Sequence, residues 1–257
     1  MTSPSTRTEA VGLKINNGAD HAKRRRMMST GSRKIYVYLL FCFFGAVLMV
    51  TPGSISAEDR LDQIRKELND GNLEVRLAAV EKLDNFRDER ALNILLDVAG
   101  TWTERWPVKI RAIQFLGEAR YPKAVELLLS IFNNSFLNWG CPSIKSYTAN
   151  ALGNFKGNQR VFDALIKGVS DPELLVREAS IRSLGKLGDP KAVPHLVGLL
   201  GDPSSAIRLS VIGALEGIGD PKVIPDIRRV CEMESDSVVK NEALAALNNF
   251  REKRGIN

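Results

Sequence analysis

From residue 58 to the end of the chain, apolar, basic and small positions return in a fixed order about every 32 residues. An apolar anchor is followed at once by a basic residue, then by small residues, then by Leu-Gly or its equivalent. The anchors are Val75, Val108, Ile144, Val176, Ile207 and Val239, spaced 33, 36, 32, 31 and 32 apart. A period in this range marks stacked helical units. Around Val176, positions 176, 180, 184 and 187 share one helical face while Glu178, Arg182 and Lys186 point away, which predicts an amphipathic helix. Gly185 and Gly188 are expected to cap it. Asp189-Pro190 then opens a second helix with a capping oxygen and a proline at the first helical position. Six anchors predict about six helix pairs, an all-α fold in which each pair buries its apolar face only by stacking on its neighbours.

The strings DPELLVREASIRSLGKLGDPKAVPHLVGLL and DPSSAIRLSVIGALEGIGDPKVIPDI resemble HEAT-type repeats, of the short kind also found in phycobilin lyases, and weaker versions cover residues 58–257. The resemblance implies an α-solenoid whose second helix in each pair lines a concave side. It is nearly silent on activity, because such repeats serve scaffolds, lyase subunits, hydroxylases and DNA glycosylases.

Net charge changes the picture once it is divided along the chain. The whole chain carries +6, yet residues 1–57 hold eight Lys/Arg against two acidic residues, which leaves 28 basic and 28 acidic residues in the repeats. A solenoid that tracks phosphates needs a basic excess, so no nucleic-acid partner is expected. Residues 1–34 read as a basic, disordered leader. Arg24 to Lys34 then precede a 16-residue apolar run, Ile35–Val50, and a small-residue stretch ending at Ala57. This is the plan of a secretory signal, with cleavage expected near Ala57. The alternative is an uncleaved anchor over residues 35–50, the only expected route to a membrane. Either one places the repeat domain, residues 58–257, outside the cytoplasm as a periplasmic or secreted protein. The true start could be Met1, Met27 or Met28.

Candidate chemistry is sparse. The repeats contain one histidine, His195, which cannot assemble the His/Glu cluster of a di-iron site. No phosphate loop, serine elbow or Cys/His pairing at catalytic spacing occurs, so a non-catalytic protein without cofactor or metal is expected. Cys141 and Cys231 lie about three repeats apart, on the order of 25 Å at 8–10 Å per layer, too far for a disulfide.

Three groups of residues remain as candidate sites. An acidic residue stands six positions before the basic one in Asp70/Arg76, Asp171/Arg177 and Asp202/Arg208, and is expected to form a structural ladder that caps turns and links repeats. In the central repeats Thr103 and Trp139 take the acidic slots, opposite Lys109 and Lys145, and the loops there hold all three tryptophans. Trp102, Trp106, Phe136 and Trp139 are therefore expected to form one aromatic ridge, a candidate partner-binding surface. The expected concave groove carries Gln114, Asn150, Asn154, Arg182 and Lys186, polar and mostly uncharged at its centre, and nearly bare at Leu209, Gly213 and Gly217. Such a groove suits another protein or a peptide segment. These features favour a scaffold or adaptor; the alternative is a lyase-like accessory subunit that holds a cofactor or substrate for a partner enzyme.

Overall fold

The computed structural model describes residues 56–86, 88–136 and 141–252. The leader, the apolar run and the predicted cleavage region before Ser56 lie outside the described residues, as does Trp139. Among the described residues, no helix is long and apolar enough to cross a membrane.

Twelve α-helices form six antiparallel pairs, with no strand among the described residues. They are α1 (Ala57–Leu68) and α2 (Leu73–Asp84), α3 (Glu89–Gly100) and α4 (Trp106–Glu118), and α5 (Ala124–Phe132) and α6 (Pro142–Leu152). The second half contains α7 (Gln159–Gly168) and α8 (Leu174–Leu187), α9 (Val193–Val197) and α10 (Ser205–Ile218), and α11 (Ile224–Met233) and α12 (Ser237–Glu252). The anchor helix is the second member of each pair, so the pairs count from α1 rather than from Val75. Side-chain oxygens of Asn72, Asp88 and Asn158 cap helix starts. Those of Asp189 and Asp220 cap the short 3₁₀ turns that lead into α9 and α11. The repeat unit starts slightly before the expected boundary: Ser56 and Asp59 form a reciprocal capping box across the predicted cleavage point, satisfying two of the amide donors exposed at a helix start.

The anchor helices α2, α4, α6, α8, α10 and α12 form a continuous row in which each packs on the next. Behind them α3 packs on α5 and α5 on α7, and each of these rear helices also packs on its own anchor helix. Leu83, Ile113, Leu116, Leu152, Ile181, Leu184 and Ile207 of the anchor row are fully buried, filling the seam between the rows. The apolar period of the sequence is therefore the seam itself.

The glycines divide into two groups that the sequence does not separate. Gly188 and Gly219 take left-handed backbone angles, φ 70° and 75°, and end α8 and α10, where a side chain would be strained. Gly185 is no cap. It lies inside α8 against α10, where a Cβ would stand 2.7 Å from the Cα of Ala214. Gly117 meets Ala151 in the same way, and Gly153 meets Ser183, at 2.7 Å in each case. These small residues let neighbouring anchor helices approach backbone to backbone. Gly213, on the outward face of α10, has nothing within 4 Å of a Cβ.

Gly185→Ala should force α8 and α10 apart and cost about 1–3 kcal/mol of stability. Gly213→Ala should add up to about 1 kcal/mol through helix propensity alone. Urea unfolding of the two variants checks both signs; equal effects would contradict the assignment of Gly185 to the helix contact.

Candidate functional site

Because each pair is antiparallel and the pairs stack in register, the loops within pairs all emerge on one edge, and the turns between pairs on the other. On the loop edge, the arginine that follows the anchor reaches back in three of the six repeats. Arg76 donates to the carbonyl of Asp70 at 2.6 Å, Arg208 to that of Asp202 at 2.7 Å, and Arg177 to that of Asp171 at 3.3 Å. The aspartate carboxylates meanwhile accept the amides of Asn72, Ser204 and Glu173. The six-residue spacing is therefore a guanidinium-to-carbonyl brace inside a repeat.

Ion pairs run between repeats instead. Arg76 meets Glu104 of the second repeat at 3.2 Å, Lys145 meets Asp171 of the fourth at 2.7 Å, and Arg208 grips both oxygens of Glu234 of the sixth at 2.7 and 3.1 Å. Thr103 is not the substitute for the missing acid; Glu104, one residue on, takes that part. Lys145 and Asp171 are nearly buried, with side chains 5% and 10% exposed, so each charge depends on the other to offset lost hydration. Hydrogen bonding from Arg208 holds the Glu234 carboxyl below its usual value of 4.5.

The tryptophan loop of the second repeat is built differently. Lys109 is buried, and its ammonium lies 5.7 Å from the ring centroid of Trp106 and 5.9 Å from that of Trp102, within cation–π range. Burial lowers the pKa of Lys109, and the Glu104 carboxylate acts in the opposite direction. Trp106, at the first position of α4 before Pro107, is half-buried against the core. The expected ridge therefore separates: Trp106 is packing, whereas Trp102 and Phe136 are 63% and 65% exposed.

The expected groove also separates. Gln114 and Asn150 are half-buried on α4 and α6. The Gln114 side-chain oxygen accepts from Arg111, at 3.5 Å, and Arg111 also bridges to Glu81 of the first repeat at 2.6 and 2.9 Å. Arg182 is exposed and pairs loosely with Glu178 at 3.5 Å, and Lys186 is exposed near the end of α8. Asn154 lies just past the end of α6, at the turn edge, where it lines a separate cleft.

Sequence reasoning missed Leu174, Leu175, Met233 and Val238, all exposed and all in or beside the loops of that first edge. Leu174-Leu175 directly precede the anchor Val176, so a break in amphipathic pattern at the first turn was the available signal. A cleft of about 700 Å³ opens on the same edge between the fifth and sixth repeats, with Val197, Leu200, Val230 and Met233 as its apolar lining and Arg229 beside them. It lies beside the end of α9, which is only five residues long. Among the described residues, no group of three His, Cys, Asp or Glu side chains could hold a metal ion.

Paired helices in two rows, braced repeat to repeat, define an α-solenoid. Residues 61–138, 135–205 and 193–248 match the family described as HEAT repeats, and the chain belongs to that family. A designed armadillo repeat protein in complex with the peptide (KR)4 is similar in fold, at TM-score 0.51 and 15% identity, covering 74% of this chain and 99% of that one. The archaeal HEAT-like repeats protein from Thermococcus onnurineus NA1 gives TM-score 0.49 and 15% identity, over 77% and 88%. The complex of CpcE and CpcF of phycocyanin lyase from Nostoc sp. PCC7120 gives 0.38 and 22%, over 76% and 66%. No curated protein matches the sequence.

A carboxylate with a depressed folded pKa adds stability above its usual value and loses it as the pH falls through the folded value. Glu234→Gln should therefore be less stable than the parent at pH 7, with the gap closing as the pH falls below 4.5. Urea unfolding at about pH 7 and pH 3 measures it; a gap independent of pH would contradict the Arg208 pairing.

Proposed function

We propose that this chain is a non-catalytic HEAT-repeat scaffold that docks another protein along its loop edge. One observation carries the reading. Of the eight large apolar side chains exposed among the described residues, six lie in or beside the loops within pairs: Trp102, Phe136, Leu174, Leu175, Met233 and Val238. They extend from the second repeat to the sixth, with the cleft beside Met233, mixed apolar and charged in its lining, in line with them. Scattered exposed hydrophobes need no explanation, but a file of them along one edge marks an interaction surface. Trp102 supplies the large rigid face typical of a binding hot spot. The repeat-to-repeat ion pairs hold the loops of the second, fourth and sixth repeats at Glu104, Asp171 and Glu234, so these parts of the surface are pre-formed and need little ordering on docking.

The groove face is the weaker candidate surface, because Arg111, Glu81, Arg182 and Glu178 already satisfy one another. The proposal places the scaffold outside the cytoplasmic membrane, on the strength of the basic flank, the apolar run and the small-residue exit over residues 24–57.

The test uses the full chain as bait in an envelope fraction, followed by reconstitution of any captured protein with purified components. The combined change Trp102→Ala, Phe136→Ala and Met233→Ala should abolish the reconstituted complex; Phe136 and Met233 are exposed, and the loss of the Trp102 face beside Lys109 should cost only about 1 kcal/mol of stability. Asn150→Asp with Arg182→Glu should leave it intact. The reverse pattern would move the site to the groove and overturn the edge assignment.

A further inference from the structure

On the opposite edge a cleft of about 440 Å³ lies between the α4–α5 turn and the α6–α7 turn. Its mouth carries two cations, Arg120 and Lys156, and neither has a carboxylate partner among the described residues. The one acidic side chain in the lining, Glu126, is already gripped by both terminal nitrogens of Arg160. The site therefore presents net positive charge in a repeat region whose total charge is zero. Phe155 and Val125, both nearly buried, give it an apolar wall.

Arg120 is also the one non-glycine residue with a positive φ among the described residues, at 50°. The equivalent turns after α8 and α10 place Gly188 and Gly219 at this point, each two residues before a proline, as Arg120 is before Pro122. A left-handed arginine carries backbone strain that a glycine would not, and strain kept at a cleft mouth points to a role for the side chain rather than for the turn.

We propose that this cleft binds an acidic peptide segment of a partner protein, with a carboxylate between Arg120 and Lys156 and an adjoining apolar side chain on Phe155 and Val125. Charge complementarity selects the carboxylate, and the apolar wall selects a peptide over a bare anion. The cleft lies across the stack from Trp102 and Phe136, so loss of binding here and loss of docking on the loop edge are separable.

The experiment measures fluorescence anisotropy of the full chain with a labelled peptide of alternating Glu and Leu, beside its Gln-for-Glu counterpart and with inorganic phosphate as competitor. The Glu peptide should bind at least about tenfold tighter than the Gln peptide, since charge-assisted bonds are at stake. Arg120→Gly and Lys156→Gln should each weaken it about fivefold or more, whereas the Trp102→Ala, Phe136→Ala and Met233→Ala variant should bind it as the parent does. Arg120→Gly should melt at or above the parent temperature, because the strain is relieved. Equal binding of the two peptides, indifference to both cleft variants, or a lower melting temperature for Arg120→Gly would overturn the proposal. Phosphate competing as well as the peptide does would replace the peptide with a small anion and overturn it too.

Discussion

The close approach of neighbouring anchor helices is the constraint on which the rest depends. At Gly117 against Ala151, Gly153 against Ser183, and Gly185 against Ala214, a single added methyl would stand within 2.7 Å of the facing residue. Helices this close must lie in one register, because sliding by a turn would set Ile113 or Ile181 where only a small residue fits. The Ser183 hydroxyl donates to the carbonyl of Ala149 at 2.8 Å, a polar tie across the same gap between α8 and α6. With the row fixed, the loops have no choice of edge. The rear helices follow, packing on the row and, through α3, α5 and α7, on one another.

Electrostatics then works on a scaffold already aligned by shape. The basic residue after each anchor emerges beside its own loop, and in three repeats it reaches an acid in the next: Glu104, Asp171 and Glu234. These side chains are largely shielded from water, which makes each pair costly to break and unforgiving of mismatch. Their contribution is best seen as fixing loop position rather than driving assembly, since burial of the leucine and isoleucine seam supplies the bulk of the favourable term. In the second repeat the basic residue after the anchor, Lys109, lies against two indoles instead, so this loop is held by aromatic faces as well as by the Arg76–Glu104 pair. That substitution leaves Trp102 in solvent, and a device that braces the stack thereby exposes an apolar face.

The helix pairs were legible because the apolar seam and the stack share one period, and the anchors Val75 to Val239 fall one per second helix. The division of labour among small residues was not. Gly185 and Gly188 look alike three positions apart, and only the position of α10 reveals that one meets Ala214 while the other turns the chain. The aromatic loops were found but not resolved: Trp102 and Trp106 are four residues apart, and the proline after Trp106 starts a helix that carries one ring inward. The expected ladder pairs Arg76 with Asp70; Arg76 does brace the Asp70 carbonyl, but its carboxylate partner is Glu104 of the next repeat, a contact between loops that no periodicity records. Leu174 and Leu175 escaped notice because an apolar pair ahead of an anchor reads as core, whereas both side chains are exposed.

Site-specific photo-cross-linking tests most directly whether the loop edge is the docking surface proposed for it. A photoreactive phenylalanine analogue at position Phe136, exposed and beside the loop, should yield a discrete adduct with one protein in intact cells. The same analogue at Asn150, on the groove face, should yield none. An adduct from Asn150 with nothing from Phe136 would contradict the account.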